Sequence, residues 1–399
     1  MDRQSSLLLH GMRIVNPDKV LECGWMYIHE NRISQMGAGE PPLDLATSDT
    51  VAKVDATGQW VTPGFIDIHV HGGNGSDVMD GQATAVENIA RFHCTHGTTG
   101  FLPTTLTAPV ESLRKSLASV RQVLDVQSAG EITGACVLGA HLEGPFISPH
   151  KIGAQNPEYV QDPSVETMLA FITEFPGLVK KVTLAPERQG ALELISWLRQ
   201  QGIHSSLGHT DASYEQTAAA VEAGATHATH LFNAMRGLHH RDGGVVGACL
   251  LSSRVVCELI ADGHHVDVPV MQLVLKTKDT KEIVLITDAI SATGMPEGQY
   301  QLGGLDILVQ SGRSVLASNG ALAGSTLTMD VAVKNMAQRV GVSLPDAISM
   351  ASANPAGELG LSARKGRLAP GMDADFVLLD DAMTVVSTFI QGKKVYGRS

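Results

Sequence analysis

Through the middle of the chain, short apolar runs rich in β-branched residues alternate with longer stretches of helical period. Eight such runs read as strands: 65–71 (FIDIHVH), 98–103 (TTGFLP), 137–143 (VLGAHLE), 181–186 (KVTLAP), 203–209 (IHSSLGH), 227–232 (HATHLF), 255–261 (VVCELIA) and 283–288 (IVLITD). Helical patterns fall at 82–95, 109–127, 188–201, 211–223 and 266–277, with two more near 326–340 and 345–352. Strands alternating with helices signal βα units and a parallel sheet. Eight of them predict an α/β fold of the (β/α)8 TIM-like barrel type, whose active site lies at the C-terminal ends of the strands.

The two chain ends follow another pattern. Residues 7–62 and 363–396 alternate apolar and polar positions between Gly, Asn and Pro turns, which predicts hairpins. The expected organisation is therefore a small β-sandwich domain built from both ends, 1–62 and 363–399, with the barrel, 63–362, inserted between them.

Composition narrows the functional classes. With 43% apolar residues, the 399-residue chain can bury a large core. The net charge of -12 argues against nucleic-acid or anionic-membrane partners. An anionic substrate would need a local pocket of Arg and His. The cysteines, Cys23, Cys94, Cys136, Cys249 and Cys257, are odd in number and contain no C-x-x-C pair. They read as free thiols in a reducing cytoplasm rather than a disulfide framework. The start of the chain is too short in apolar length for a secretion signal, and no stretch reaches the length of a membrane span.

The 16 histidines cluster at the ends of apolar runs. His69 and His71 share one face of the first strand with Asp67, because side chains alternate across a strand. Two imidazoles so placed make half a site for a divalent metal, or simply line the barrel. Glu143 ends the third strand as a bridging metal ligand or a salt-bridged carboxylate. His209 and His230 end the fifth and sixth strands, which neighbour each other in a barrel. Asp288 ends the eighth, as a general base or a turn residue. Joint placement at one rim favours chemistry over the structural readings. The segment carrying His240 and Arg241, and His265 after the seventh strand, are the local sources of positive charge, set against ordinary loop charge. Gly-rich turns at the rim carry no nucleotide-binding fingerprint.

Several motifs together resemble a known family. PGFIDIHVHGG (63–73) and KGRLAPGMDADFVLLD (365–380) resemble the amidohydrolase superfamily. HLEGPF (141–146), LGHTDA (207–212), THLFNAM (229–235), IADGHHVD (260–267), TDAI (287–290) and LAGSTLTM (322–329) are similar to N-acetylglucosamine-6-phosphate deacetylases, in the family's order. The resemblance spans about residues 8–396. It implies one or two divalent ions (Zn, Fe, Co or Mn). His69, His71 and Glu143 would hold one, and His209 and His230, with Glu143 bridging, the second. Asp288 would be the catalytic acid/base, beside the metal. Water activated by the ion would attack the acetamide carbonyl, with Asp288 moving the proton to the leaving amine. Arg241 and His265 match phosphate-contacting positions, with His240 beside them. Asn233, Ala234 and Leu322 match substrate-binding positions. A homodimer is implied, with the Arg241 loop serving the neighbouring subunit. Some relatives carry His where this chain has Gln155, so carbonyl polarisation passes to the metal and Gln155 is left to hydrogen-bond the sugar. No lysine ends a strand as a carbamylated bridge requires, since Lys180 and Lys181 begin the fourth. The substrate expected is N-acetyl-D-glucosamine 6-phosphate. The alternatives are its galactosamine epimer and other amidohydrolase reactions, such as those of D-aminoacylases and deaminases, or a non-catalytic barrel used for binding.

Overall fold

The structure is a computed structural model in which residues 6–398 are described; residues 1–5 and 399 of the expected small domain lie outside that range. Eight parallel barrel strands follow in order: β1 (Phe65–Val70), β2 (Thr98–Thr105), β3 (Ala140–Glu143), β4 (Val179–Leu184), β5 (His204–Leu207), β6 (His227–Ala228), β7 (Val256–Leu259) and β8 (Ile283–Leu285). Each pairs in parallel with the next. A ninth, two-residue strand, Cys136–Val137, pairs alongside β2. The ring closes beyond the strand ends: Val70 bridges Ala289, His71 N–H donates to Ala289 O at 2.9 Å, and Asp288 N–H donates to His69 O at 3.0 Å. Backbone bonding thus holds Asp288 beside the His69–His71 pair.

Every residue of β1, β2 and β3 is buried. Most of their apolar residues join the main hydrophobic core, and His69, His141 and Glu143 point into the barrel. The helices stand where the 3.6-residue period places them. Ala83–Cys94, Val110–Ser128, Ala191–Gln200, Tyr214–Ala223, Val268–Thr277 and Leu344–Ala351 match expected helices within a few residues. The one near 326–340 is α-helical over Met329–Asn335 and finishes as a π-turn over Met336–Val340. Ser213 and Gln216 form a capping box at the start of Tyr214–Ala223.

Several elements were not anticipated, among them two helices and a sheet near the barrel. Val165–Glu174 is capped by Ser164, and Gly244–Leu251 is buried along nearly its whole length. The three-stranded antiparallel sheet Gly298–Leu302, Leu305–Gln310 and Arg313–Leu316 follows β8 and shares an apolar cluster with Leu106 and Ile290 near the barrel mouth.

Both chain ends contribute to one separate eight-stranded sheet. Trp60–Pro63, from the first end, pairs with Phe376–Leu379, from the last. Its core mixes Leu9, Met26 and Ile28 with Phe376, Leu378 and Phe389. Seven of its strands form one hydrogen-bonded path, and Ala52–Asp55 pairs with Ser6–Asn16 beside it. Among the described residues, no helix is long and apolar enough to cross a membrane.

Candidate active site

At the C-terminal mouth, four imidazoles turn their Nε2 atoms toward Glu143. His69 and His71 Nε2 lie 3.2 Å apart, as do those of His209 and His230. Glu143 sits between the pairs. Its Oε1 is 3.4 Å from His69, 3.3 Å from His209 and 3.0 Å from His230, and its Oε2 is 3.2 Å from His71. Asp288 Oδ1 stands 3.3 Å from His69 Nε2 and 3.2 Å from His71 Nε2. The ligand atoms of His69, His71 and Glu143, and those of Glu143, His209 and His230, form two compact groups sharing one carboxylate.

The far side of each ring fixes its tautomer. Nδ1 of His71, His209 and His230 contacts the backbone carbonyl of Thr104 (3.1 Å), Lys151 (3.0 Å) and Asn233 (3.1 Å). A carbonyl only accepts, so Nδ1 carries the hydrogen and Nε2 presents its lone pair inward. Lone pairs facing lone pairs and carboxylates at such distances require positive charge between them. All-N/O donors in two shared groups suit divalent ions such as Zn, Fe, Co or Mn. The residues present therefore fit the implied metal.

The electrostatics agree. Burial pulls the His69 and His71 values down, but the carboxylates of Glu143 and Asp288 outweigh it and raise them to about 9 and about 10. Burial likewise acts to raise Glu143 and Asp288, and the surrounding histidines hold both below the usual carboxylate range. A field that keeps protons on buried imidazoles also attracts a cation. Behind His69, Glu258 Oε2 is 3.4 Å from Nδ1, and Glu258 also pairs with the fully buried Lys181. Burial opposes that charge, yet the Lys181 ammonium holds the Glu258 carboxyl down at about 2. Lys181 is thus engaged inside the barrel. His141, 4.7 Å from His69 between ring centres, bonds Thr183 and Thr104, and burial drives its value well below the usual.

The backbone is strained where these groups sit. His209, His230 and Asp288 adopt φ of 47°, 31° and 52°, the left-handed region. Such conformations persist when surrounding bonds fix them, and they gather at functional sites. Here Ser148 N–H donates to His209 O, and Ser325 N–H to Asp288 O, each at 2.8 Å. Gly144 (φ 83°) turns the chain sharply after Glu143, and a Cβ there would lie 2.1 Å from Thr107 Oγ1.

A cavity of about 320 Å³ opens above the cluster. Gln155, Asn233, Ala234, His265 and Leu322 line it together with His71, Glu143, His209, His230 and Asp288. Gln155 is held at both ends: its Oε1 accepts Thr107 N–H, and its Nε2 donates to Glu143 Oε2, each at 2.6 Å. One N–H of its amide thus steadies that carboxylate, and the side chain also lines the cavity. His265 Nδ1 is tied to Asp262 Oδ2 at 2.7 Å. His240 and Arg241 are exposed, contact each other, and do not line the cavity.

Sequence reasoning passed over Glu258, Phe232 and Leu302, and noted Lys181 only as beginning the fourth strand. The Glu inside VVCELIA is a legible signal, because an acid in a buried strand needs a partner. Leu302 arrives on the unanticipated sheet.

A barrel of this topology, with paired histidines sharing a carboxylate at its mouth, is the arrangement of a metal-dependent hydrolase. The amidohydrolase family model matches residues 60–395, and the chain belongs to that family. It is 38% identical to the N-acetylglucosamine-6-phosphate deacetylase of Bacillus subtilis (strain 168), covering 97% of this chain and 96% of that protein. It is 40% identical to the N-acetylgalactosamine-6-phosphate deacetylase of Escherichia coli O157:H7, covering 93% and 96%. The structure of the Mycobacterium smegmatis N-acetyl-D-glucosamine-6-phosphate deacetylase, in mutant form with N-acetyl-D-glucosamine-6-phosphate, superposes with a TM-score of 0.90 at 35% identity, over 98% of this chain and 99% of that one.

Proposed function

We propose that this protein hydrolyses the acetamide of N-acetyl-D-glucosamine 6-phosphate, giving D-glucosamine 6-phosphate and acetate. The observation that carries the reading is the cluster at the mouth, where two histidine pairs share Glu143 beside Asp288 under an open cavity. Relatives of near-complete coverage support the substrate.

His69, His71 and Glu143 would hold one ion, and Glu143, His209 and His230 a second. When bound, the metal activates water and polarises the acetamide carbonyl. Asp288 faces both the cluster and the cavity. It takes the proton from the attacking water and returns it to the departing amine nitrogen. Glu258 keeps His69 oriented, as Gln155 does Glu143.

Phosphate recognition falls to His265 from within the chain, since no Arg or Lys is among the described residues lining the cavity. A phosphate dianion calls for more positive charge than that. Arg241 and His240 stand on a neighbouring loop whose surroundings expose Leu238 and Leu251. We therefore read the protein as a homodimer in which this loop reaches the partner's cavity. The unpaired cysteines suit a cytoplasmic enzyme.

The test is acetate release from N-acetylglucosamine 6-phosphate by metal-loaded protein, beside the 6-phosphorylated galactosamine epimer and unphosphorylated N-acetylglucosamine. Preferred turnover of the glucosamine phosphate is expected. Preference for the galactosamine epimer would move the chain to the activity named for its Escherichia coli relative. Turnover indifferent to phosphate would remove the substrate assignment.

A further inference from the structure

The strands that carry His209 and His230 at the mouth also carry histidines at their opposite ends. His204 opens β5 and His227 opens β6, at the floor of the barrel. Glu358, the last residue of the helix Ala353–Glu358, meets them there. His227 Nε2 lies 3.2 Å from Glu358 Oε2, and the two rings stand 4.9 Å apart between centres, nearly perpendicular. One ligand atom from each residue falls within 4.8 Å of the others.

We propose that His204, His227 and Glu358 form a structural divalent-metal site at the floor of the barrel, separate from the active site. Two imidazoles and one carboxylate are a donor set used by Zn and Fe. The supporting contacts fit. Thr226 Oγ1 lies 3.2 Å from His204 Nδ1 and 2.8 Å from His227 Nδ1. A hydroxyl oxygen has two lone pairs and can accept from both Nδ1–H groups, the arrangement that leaves both Nε2 atoms as ligands. The Glu358 side chain is 25% exposed, which gives an ion a route in from solvent.

The position suggests what the ion does. Groups at the N-terminal face of such a barrel serve stability rather than catalysis. An ion here would clip two adjacent strands to the last helix before the chain returns to the small sheet. Binding that favours the folded state stabilises it by mass action.

The experiment compares the dialysed holoprotein with Glu358→Gln and His204→Gln. Both variants are expected to hold about one ion fewer per chain by elemental analysis and to lose part of the Zn-dependent rise in Tm. Acetate release should stay within about twofold, because neither residue belongs to the mouth. Equal ion counts in all three proteins would overturn the site. So would loss of an ion together with loss of turnover, which would locate that ion at the mouth. Wild-type crystals grown with Zn supply a readout independent of the variants' folding. Anomalous density between His227 and Glu358 supports the site, and density confined to the mouth refutes it.

Discussion

The two ends of β5 and β6 make a comparison within one barrel. Each strand has a histidine at its start and another just past its end: His204 and His209 for β5, His227 and His230 for β6. The upper pair sits in left-handed backbone, with Nδ1 fixed on rigid carbonyls and Nε2 against a carboxylate shared with a second pair. The lower pair keeps ordinary backbone, shares a rotatable threonine hydroxyl, and meets a partly exposed glutamate at a helix end. Residue type is the same at both ends. What differs is preorganisation, the number of converging charges, and an open cavity above the upper cluster. Catalysis needs all three, because the groups must be fixed before charge develops.

The largest test of that contrast is Asp288→Asn. The amide cannot accept the water proton, so turnover should fall by about 10²–10⁴-fold, the usual contribution of general acid–base catalysis. Ions at the mouth should remain by elemental analysis, since four histidines and Glu143 are untouched. Near-normal turnover would strip Asp288 of its role. No such loss is expected from Glu358→Gln at the floor.

Next in size is Glu258→Gln. It leaves Lys181 charged and fully buried without its partner. Breaking a buried pair from one side costs about 3–5 kcal/mol, to be read as a lower urea midpoint. The same change releases His69, so the occupancy of the ion nearest His69 should fall as well. Unchanged stability and full occupancy would show that the Lys181–Glu258 pair supports nothing above it.

Much of this layout was legible in the residues. Alternation along FIDIHVH placed Asp67, His69 and His71 on one face, and all three are buried on the inner side. Glu143, His209, His230 and Asp288 were visible as polar residues closing apolar runs. The rest was hidden for physical reasons. Gly244–Leu251 is apolar on every side, so it carries no amphipathic period, and its glycines resemble a loop. The expected strand 227–232 shrinks to His227–Ala228, because the chain leaves extended conformation to aim His230 inward. Gln155 gave no sign that its amide would bond Glu143, a contact across sequence that no local pattern encodes. The floor cluster was invisible for the same reason: Glu358 is far from His204 and His227 along the chain.

Arg241→Ala tests the proposal that the mouth takes positive charge from a partner's loop beyond what its own chain supplies. Charge-assisted contacts contribute about 1.5–3 kcal/mol, so KM for the phosphorylated sugar should rise about tenfold to a hundredfold. Hydrolysis of the unphosphorylated sugar should not change. Mixing Arg241→Ala with Asp288→Asn protein should restore part of the affinity in mixed dimers, where an intact loop faces an intact acid. Equal losses on both sugars would place Arg241 outside phosphate recognition.

A last contrast concerns His93, a buried imidazole near the mouth that joins neither cluster. Its Nε2 donates to Gly72 O at 2.9 Å, and burial lowers its value to about 4. In the unfolded chain it titrates near 6.5, so between pH 6.5 and 4 the unfolded state binds a proton that the folded state refuses. Stability is therefore full above pH 6.5 and drains as the pH falls toward 4, with a slope of at most about 1.4 kcal/mol per pH unit. His93→Gln keeps a donor for Gly72 but cannot titrate. Its stability difference from the wild type should consequently move in its favour as acid is added, measured by urea midpoints at matched metal. A constant difference across that range would mean His93 charges in the folded state, and the neutral, purely structural imidazole would have to be sought elsewhere in the barrel.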